Sequence, residues 1–441
     1  MFVAPEIFED LEFYQCRNSG AKPVFKFIDY CRTDGGREYL KKLFKSSPAK
    51  PSEIIGLQNI SRFLGEELGT AEIELPGKLH AECEEYLGSN YVAFDLSGSV
   101  CPFFKGIYRR ARHPALFAFI QRGIRLVLSS TSMIAGIFSE LRRKNPPEAA
   151  AHLFEEYLTV YLEAGLDRID AGVAGARAYR VFAVDYLLRE QHRDKIQKLF
   201  ALIGKFDGHL SMGRATTLNG FAYPRVSADG PKTLEIAGLY HPFLENPVKN
   251  DFNLEQDRNF MFLTGPNMAG KTTYLKALGI SLILAHVGMG VPVAAMTFTP
   301  FDHLFFQLTV QDDLRRGISS FFQEISQVKQ ITEIIDAGNR VFVVIDEIFK
   351  GTNVSDALEC SKIVINGFAG LRQHCFVISS HLYELETAIS HNRNIVFAQF
   401  ETLVHGTGLE FPHRIIAGVS NTRIGTRLLE AAGLTRYFSC S

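Results

Sequence analysis

The sequence predicts an all-α region over residues 1–225, followed by an α/β domain with a parallel sheet over residues 226–441. Two observations point to this division. Apolar residues recur at helical spacing through much of the first region, whereas near Pro224 the pattern changes to shorter runs separated by turns. In the second region, a glycine-containing loop lies between a short apolar strand and a helix, an order typical of α/β folds.

The helical region is predicted from a few periodic segments, and residues 65–110 lack a period clear enough to assign. Helices are predicted over residues 36–44, 51–64, 148–166 and 176–212. The uncharged run 126–139 is shorter than the roughly 20 residues that a membrane-spanning helix needs. It therefore predicts a buried core helix, and we expect no membrane association.

The composition is that of an ordinary globular protein. A hydrophobic content of 46% and a net charge of −1 are typical of an ordinary globular chain. Any surface for a polyanion must then be a local patch rather than a global charge excess. The seven cysteines form no C-x-x-C pair, and the first residues show no signal-peptide pattern. These features favour a reducing, cytoplasmic location.

The segment 260–273 carries the clearest chemistry. Gly265, Gly270, Lys271 and Thr272 match the phosphate-binding pattern GxxxxGK[ST]. Glycines allow the backbone to curl so that its N–H groups converge on phosphate oxygens. The following helix directs its positive end to the same anion. Lys271 is predicted to reach the β- and γ-phosphates, and the Thr272 hydroxyl to hold Mg²⁺.

Two further apolar strands are predicted to end in polar residues. Residues 340–347 end in Asp346 and Glu347, and residues 373–380 are followed by His381. Because ligands bind at the carboxyl ends of parallel strands, Asp346 is predicted to position Mg²⁺. Glu347 is a candidate general base or water-orienting group, and His381 a candidate sensor of the γ-phosphate. The alternatives are a solvent-exposed acid pair and a structural histidine.

A long helix is predicted between the loop and the acids. Ser319 or Ser320 resembles an N-cap, and the helix continues through Ile335. Its start offers N–H groups and a hydroxyl to an anion. Since no phosphate is left for it within its own subunit, the ATP of a second subunit is the candidate.

Residues 97–139 contain no Asp or Glu. One interpretation is a DNA-binding surface that faces phosphates. The other is a solvated helix face balanced by acids elsewhere in the chain. The arginines proposed for DNA contact are Arg109, Arg110, Arg112, Arg122 and Arg125.

Five motifs together resemble the MutS family of DNA mismatch-repair ATPases. The loop Thr264-Gly-Pro-Asn-Met-Ala-Gly-Lys-Thr-Thr273 is similar to the family's TGPNMGGKST. The other four are similar to its RHP, DDL with STF-x-x-E, DEIGRGT and ATH motifs. They lie at residues 239–242, 312–324, 346–352 and 379–381. The resemblance is specific over about residues 234–385 and diffuse elsewhere.

The resemblance implies an ATPase of the ATP-binding-cassette type over 226–441, preceded by a helical core and lever over 1–225. ATP would be bound by Gly265, Pro266, Asn267, Met268, Ala269, Gly270, Lys271, Thr272 and Thr273. Thr272 and Asp346 would hold Mg²⁺, while Glu347 and His381 would be catalytic. Ser319, with Ser320 beside it, would act in trans across a homodimer formed through the ATPase domain. The implied function is ATP-dependent engagement of mismatched or branched DNA.

The sequence also departs from the family pattern. It is expected to lack the mismatch-reading and connector domains, and its DNA clamp to be short or absent. Residues 246–250 lack an aromatic for the adenine, and Phe349-Lys350 replaces the usual Gly-Arg. The alternative function is therefore an ATP-gated protein-interaction switch that has lost direct mismatch recognition.

Overall fold

The structure is a computed structural model, and its secondary structure forms two compact units. The residues it describes are 1–16, 20–91, 102–228, 233–308, 320–382, 384–405 and 408–420. The helical unit comprises Ile28–Phe44 and Gly56–Thr217. The sheet unit comprises Met1–Phe27, Lys45–Ile55 and Leu218–Ser441. Two N-terminal segments thus pack with the C-terminal region, and the predicted domain boundary at 225/226 stays a prediction.

The α-helices are named here in chain order. They are α1 (Pro5–Asp10), α2 (Val24–Ile28), α3 (Asp34–Lys45), α4 (Pro51–Leu68), α5 (Leu79–Leu87), α6 (Pro102–Arg112), α7 (Pro114–Leu141), α8 (Glu148–Glu163), α9 (Ala178–Tyr186), α10 (Arg193–Leu218), α11 (Lys271–His286), α12 (Ser320–Asp336), α13 (Val354–Ala369) and α14 (Glu384–Ile389). Short 3-10 turns cover Arg142–Lys144, Leu166–Arg168, Ala171–Gly175 and Asn267–Ala269, and a π-helical turn covers Leu187–Gln191.

The strands all lie in the sheet unit. They are β1 (Phe2–Val3), β2 (Arg225–Val226), β3 (Leu234–Leu239), β4 (Asn250–Leu254), β5 (Phe260–Thr264), β6 (Ala295–Phe298), β7 (His303–Gln307), β8 (Val341–Asp346), β9 (Cys375–Ser379), β10 (Ile395–Phe400), β11 (Leu403–His405), β12 (Gly408–Glu410) and β13 (Ile415–Ala417). A helical N-terminal part and a C-terminal part of mixed α/β sheets are confirmed.

The main sheet has seven strands in the order β1-β7-β8-β9-β5-β10-β13. Its pairs are parallel except that of β10 with β13. The residues of β5 and β9 are buried throughout, as expected for central strands covered on both faces. A second sheet follows the order β2-β6-β3-β4, and β11 pairs with β12 as a hairpin. The parallel register brings the carboxyl ends of β5, β8 and β9 to one edge of the main sheet.

The helical unit is built around aromatic side chains from three helices. The ring of Phe138 lies 4.7 Å from that of Phe154 and 5.1 Å from that of Phe206, measured between centroids. Helices α4 and α10 touch through their backbones at Gly65 and Gly213, where a Cβ on Gly213 would lie 2.7 Å from the Gly65 Cα. Glycine is therefore required at this crossing, since any side chain would separate the helices.

Two helices differ in extent from the segments marked in the sequence, and the prediction of a buried core helix at 126–139 is confirmed. The run 126–139 belongs to α7, which has 28 residues and is long and apolar enough to cross a bilayer. However, 56% of its most apolar window is buried inside the protein, so α7 serves as a core helix. The predicted helix 176–212 is broken at the π-helical turn Leu187–Gln191. There, Arg189 turns inward to a buried partner, Asp185, which the regular helix pattern did not predict.

Candidate functional site

The glycine-containing loop leaves β5 and enters α11 in the predicted strand–loop–helix order. Gly265 and Gly270 have φ angles of 141° and 104°, a region that side-chain-bearing residues rarely adopt. Between them, Asn267–Ala269 form a 3-10 turn. The backbone thus turns sharply at both glycines, which directs the N-terminus of the 16-residue helix α11 toward the carboxyl edge of the sheet.

Lys271 is a buried cation at the first position of α11. Its Nζ donates a hydrogen bond of 2.5 Å to the carbonyl oxygen of Gly265, so that the side chain folds back along the loop. Burial lowers the pKa of Lys271, while the nearby carboxylates of Asp346 and Glu347 oppose this shift. A desolvated ammonium group at this place is favourable only where anionic groups converge.

Thr272 and Asp346 meet as predicted for a shared ligand. The Thr272 hydroxyl donates to Asp346 Oδ2 at 2.7 Å. Ser379, at the end of β9, donates to the other carboxylate oxygen of Asp346. Ser379 pairs with Asp346 across the β8–β9 register, which explains the contact. The sequence reasoning did not include Ser379 in the site, although it stands two residues before His381.

Glu347 and His381 are brought together directly. Glu347 Oε1 lies 2.5 Å from His381 Nε2, and Oε2 lies 2.5 Å from Lys350 Nζ. The hydrogen bond from His381 is the largest cause that lowers the pKa of Glu347, to about 2, and Lys350 adds to it. The Glu347 backbone has φ 65°, and its N–H donates to Ser379 Oγ at 3.1 Å. The side chain is therefore ionised and tightly oriented.

A second strained residue follows in the same loop. Phe349 has φ 57°, in the left-handed region, and its ring packs 5.6 Å from that of Phe321 on α12. The buried carboxylate of Glu324, also on α12, accepts a hydrogen bond from the Phe349 N–H. Burial raises the pKa of Glu324, although backbone N–H groups of the loop counteract it. Helix α12 thus holds the backbone that positions Glu347.

A cavity of about 470 Å³ is lined in part by the glycine loop, through Met268, Gly270 and Thr273. The lining residues that carry rings or amides include Tyr240, His241, Asn250, Tyr274 and His413. His413 Nδ1 lies 2.9 Å from the carbonyl oxygen of Ala269, within hydrogen-bonding distance, so the ring stands directly over the loop. Burial lowers the pKa of His241 to about 4, which makes that ring neutral near pH 7.

His413 was missed because it follows the glycine loop by more than a hundred residues. Only β13 brings it back beside β10 and the loop. Its φ of 57° and the bond from Asn250 Nδ2 to the His413 carbonyl (2.9 Å) hold it there. No short-range pattern in the sequence signals this approach.

For the other predicted site residues, the structure gives only their position. Ser319 lies outside the described residues, and Ser320 is the first residue of α12. Met268 and Thr273 line the 470 Å³ cavity. The roles assigned to all these residues stay predictions.

The residues at the carboxyl edge fit a magnesium ion that is shared with phosphate. Within the described ranges, no group of three or more His, Cys, Asp or Glu side chains could enclose a metal. Thr272 and Asp346 supply two oxygen ligands. Mg²⁺ usually takes one or two protein ligands and completes its octahedron with substrate phosphates and water. The donor set therefore fits the ion together with a nucleotide.

Comparison with known proteins gives a consistent result. Residues 261–437 match the family model "MutS domain V". A protein of Shouchella clausii, "DNA mismatch repair protein MutS", is 27% identical over 337 residues, which cover 71% of this chain and 38% of that protein. Its namesake in Fusobacterium nucleatum is 26% identical, covering 71% of this chain and 36% of its own length. The protein of the same name from a Synechococcus strain is 29% identical to this chain. The match covers 59% of this chain and 29% of the Synechococcus protein.

The matched region of this chain thus spans well under half the length of these curated relatives. The match nevertheless includes the glycine loop, the two acids that end β8, and His381 and His413. These matches confirm the resemblance that the motifs indicated: the chain is similar to proteins of the MutS family.

Proposed function

We propose that this chain is a Mg²⁺-dependent ATPase of the ATP-binding-cassette type that couples ATP binding in a dimer to engagement of mismatched or branched DNA. One observation carries the enzymatic part. Four side chains converge at the carboxyl edge of one parallel sheet: Lys271, Thr272, Asp346 and Glu347. They lie beside a loop in which Gly265 and Gly270 adopt positive φ angles. This is the arrangement that phosphoryl transfer requires, since such catalysis depends on positioning and charge stabilisation.

Each residue has a defined task in this proposal. The loop N–H groups and Lys271 bind the phosphates, and the 470 Å³ cavity under His413 receives the base. Thr272 and Asp346 would hold Mg²⁺, which would supply positive charge to the phosphate oxygens. The aromatic rings that line the cavity supply the stacking surface that residues 246–250, which contain no aromatic residue, do not.

Glu347 is best suited to orient the attacking water. With a pKa near 2, its carboxylate is ionised and accepts hydrogen bonds, but it is a weak proton acceptor. His381 and Lys350 hold both of its oxygens. Stronger basicity requires that one of these two bonds be redirected, and His381 is the group placed to do so when it contacts a γ-phosphate.

The dimer is proposed to form across the same edge of the sheet. Apolar side chains are exposed there: Met268 in the glycine loop is 69% exposed, and Val354, after the acids, is 70% exposed. Phe322, in the first turn of α12, is 58% exposed. Exposed apolar side chains at a functional edge favour a protein contact. In this arrangement Ser319 of each subunit would reach the nucleotide of the other, and a cytoplasmic location is consistent with the family.

The ATPase part is tested with Lys271→Ala and Glu347→Gln, using Lys329→Ala and Glu333→Gln on the exposed face of α12 as matched controls. We expect Lys271→Ala to lose ATP binding and Glu347→Gln to bind ATP but accumulate as a dimer in size-exclusion chromatography. The controls should hydrolyse ATP within about twofold of wild type. Wild-type turnover by Lys271→Ala would refute the site, and wild-type turnover by Glu347→Gln would refute only the role of Glu347.

The DNA part is tested with duplex, mismatched and branched DNA, each titrated with salt in the presence and absence of ATP. Several phosphate contacts would give a steep salt dependence because counterions are released. The near-neutral net charge of −1 favours the alternative, an ATP-gated protein-interaction switch. Absence of binding at low salt, with ATP hydrolysis intact, would support that alternative.

A further inference from the structure

The 470 Å³ cavity beside the glycine loop, called here the base cavity, departs from the resembled motifs at two places. Residues 246–250 contain no aromatic residue. In the motif RHP, which residues 240–242 resemble, an arginine stands where this chain has Tyr240. Both places border the base cavity, since Tyr240 and Asn250 line it. The cavity therefore lacks a ring at one place and carries one at the other.

The Tyr240 ring is held in position at the base cavity. Tyr240 directly follows β3, and its backbone N–H donates to the Pro292 carbonyl at 3.2 Å. The side chain is half-buried, and burial raises the pKa of its hydroxyl. The Lys249 ammonium lies 5.4 Å from the centroid of the ring, close enough for a cation–π contact. Because Lys249 does not line the cavity, this cation supports the ring from outside.

The other aromatic carbon rings that line the base cavity, among the described residues, belong to the core beneath it. Tyr274 is 5% exposed and Phe400 is 1% exposed, and their rings pack edge-on with 6.0 Å between centroids. The smaller imidazole of His241 packs edge-on against the ring of Phe243, at 5.3 Å. Tyr240 is therefore the phenol ring best placed to offer a flat surface to a ligand.

Asn250 connects the two sides of the base cavity. Leu239, the residue before Tyr240, pairs with Asn250 in the β3–β4 register. The Asn250 amide donates from Nδ2 to the His413 carbonyl at 2.9 Å, and its Oδ1 accepts from the Ile415 N–H at 2.8 Å. Tyr240 and His413 are thus attached to the same residue. Since the amide is committed to the backbone, recognition of a base depends more on stacking than on reading its edge.

We propose that Tyr240 stacks on the base of the bound nucleotide and gives the site a preference for purines. Stacking on an aromatic side chain favours any base, because every base has a flat face. A two-ring purine buries more apolar area in such a contact than a one-ring pyrimidine. The phenol ring supplies the surface that residues 246–250 lack. This inference rests on the proposed nucleotide site and adds to it a residue that touches the base rather than the phosphates.

The test compares binding of ATP with binding of inorganic tripolyphosphate, which has no base, by titration calorimetry on the full chain. Tyr240→Ala should weaken ATP binding roughly five- to 100-fold, as expected for the loss of one stacking contact. It should leave the affinity for tripolyphosphate within about twofold of wild type, because the phosphate contacts are unchanged. Tyr240→Phe keeps the ring and should bind ATP within about threefold of wild type.

The base preference and the kinetics give two further readouts. CTP should bind more weakly than ATP to the wild type, and this difference should shrink in Tyr240→Ala. The same variant should raise KM for ATP and leave kcat within about threefold, because base stacking stabilises the bound substrate and the transition state equally. Asn253→Ala removes an exposed amide from β4 and is the matched control. It should change the ATP affinity and KM by less than about twofold.

Three results would overturn the role of Tyr240 alone. They are ATP binding by Tyr240→Ala within about twofold of wild type, equal losses of ATP and tripolyphosphate binding, and ATP binding by Tyr240→Phe as weak as that of Tyr240→Ala. The second would show a structural role, and the third would assign the contact to the hydroxyl. Lys271→Ala should lose both ligands. A wild type that binds neither ligand would refute the nucleotide site together with this role, so the two failures are distinguishable.

Discussion

Two clusters of buried charged side chains, one from each unit of the described chain, are organised differently. In the helical unit, Arg189 and Asp185 form a buried ion pair. In the sheet unit, Lys271 is buried near Asp346 and Glu347. Both clusters remove charge from water, which is costly unless it is compensated. The two clusters differ in how that charge is compensated.

In the helical cluster, the two charged side chains bind each other and the polar groups around them. Arg189 Nε and Nη2 donate to the two oxygens of Asp185 at 3.0 and 3.2 Å. Its Nη1 donates to the hydroxyl of Ser89, and its guanidinium stacks 3.8 Å from the ring of Tyr91. The hydroxyl of Tyr86 donates to the same carboxylate at 2.9 Å. The surrounding side chains satisfy this ion pair, and we assign it a structural role.

The sheet cluster draws its members from the ends of three different strands. Lys271 donates to the carbonyl of its own loop, Asp346 accepts from Thr272 and Ser379, and Glu347 is held by His381 and Lys350. Glu347 and Phe349 both adopt left-handed backbone conformations, which cost free energy in residues other than glycine. Buried charge alone is therefore a poor guide to function. Strained backbone and convergence of separate strand ends are better ones.

The largest effect is expected from Arg189→Met, which leaves Asp185 buried without its cation. Breaking a buried ion pair by removing one partner costs about 3–5 kcal/mol. We expect hydrogen exchange to show a loss of this size in the free energy of opening for amides of α9, with ATP hydrolysis retained by the folded fraction. Arg122→Met, which breaks the exposed pair with Glu82, serves as control and should cost less than about 1 kcal/mol. A loss below 1 kcal/mol in Arg189→Met would show that the cluster is not structural.

A smaller effect is expected from Glu324→Gln, which keeps the side-chain shape but removes the negative charge that accepts the Phe349 N–H. Looser positioning of the loop should lower ATP turnover roughly 10- to 100-fold. The affinity for ATP should stay within about threefold, since the group that Glu324 holds, the Phe349 N–H, lies outside the glycine loop 265–273. Glu333→Gln, on the exposed part of the same helix, is the control. Full turnover by Glu324→Gln would exclude a positioning role for this carboxylate.

The smallest effect concerns the acid stability of the sheet unit. The pKa of Glu347 is about 2 in the folded chain and near 4.5 ordinarily, so the folded state favours the ionised carboxylate. Its contribution is present above pH 4.5 and is lost as the pH falls toward 2. Allowing for partial exposure, we expect about 1–2 kcal/mol. The difference in melting temperature between wild type and Glu347→Gln should shrink from pH 5 to pH 3, whereas the difference for Glu333→Gln should stay constant. A difference that does not vary with pH would contradict this linkage.

Prediction from sequence found the order of strand, loop and helix around Gly265, while the roles of the site residues stay predictions. The loop from Gly265 to Thr272 needs glycines, a lysine and a hydroxyl at fixed spacing, and the acids of β8 follow directly from a continuous apolar run. It failed where a distant residue approaches. Ser379 joins Asp346 only through the β8–β9 register, and His413 reaches the loop only because β13 pairs with β10. Helix 176–212 was predicted as continuous because its apolar spacing continues past the point where Arg189 turns inward.

The sequence by itself indicated the resemblance to the MutS family, the glycine-containing loop between strand and helix, and the helical and α/β character of the two parts, because these depend on short motifs and on hydrophobic periodicity. Only the tertiary structure decided which groups touch. It showed that His381 and Lys350 hold Glu347, that Glu324 holds the loop at Phe349, and that Arg110 and Arg177 line one cavity. The physical reason is that strand register and helix crossings bring together residues whose separation along the chain carries no local signal.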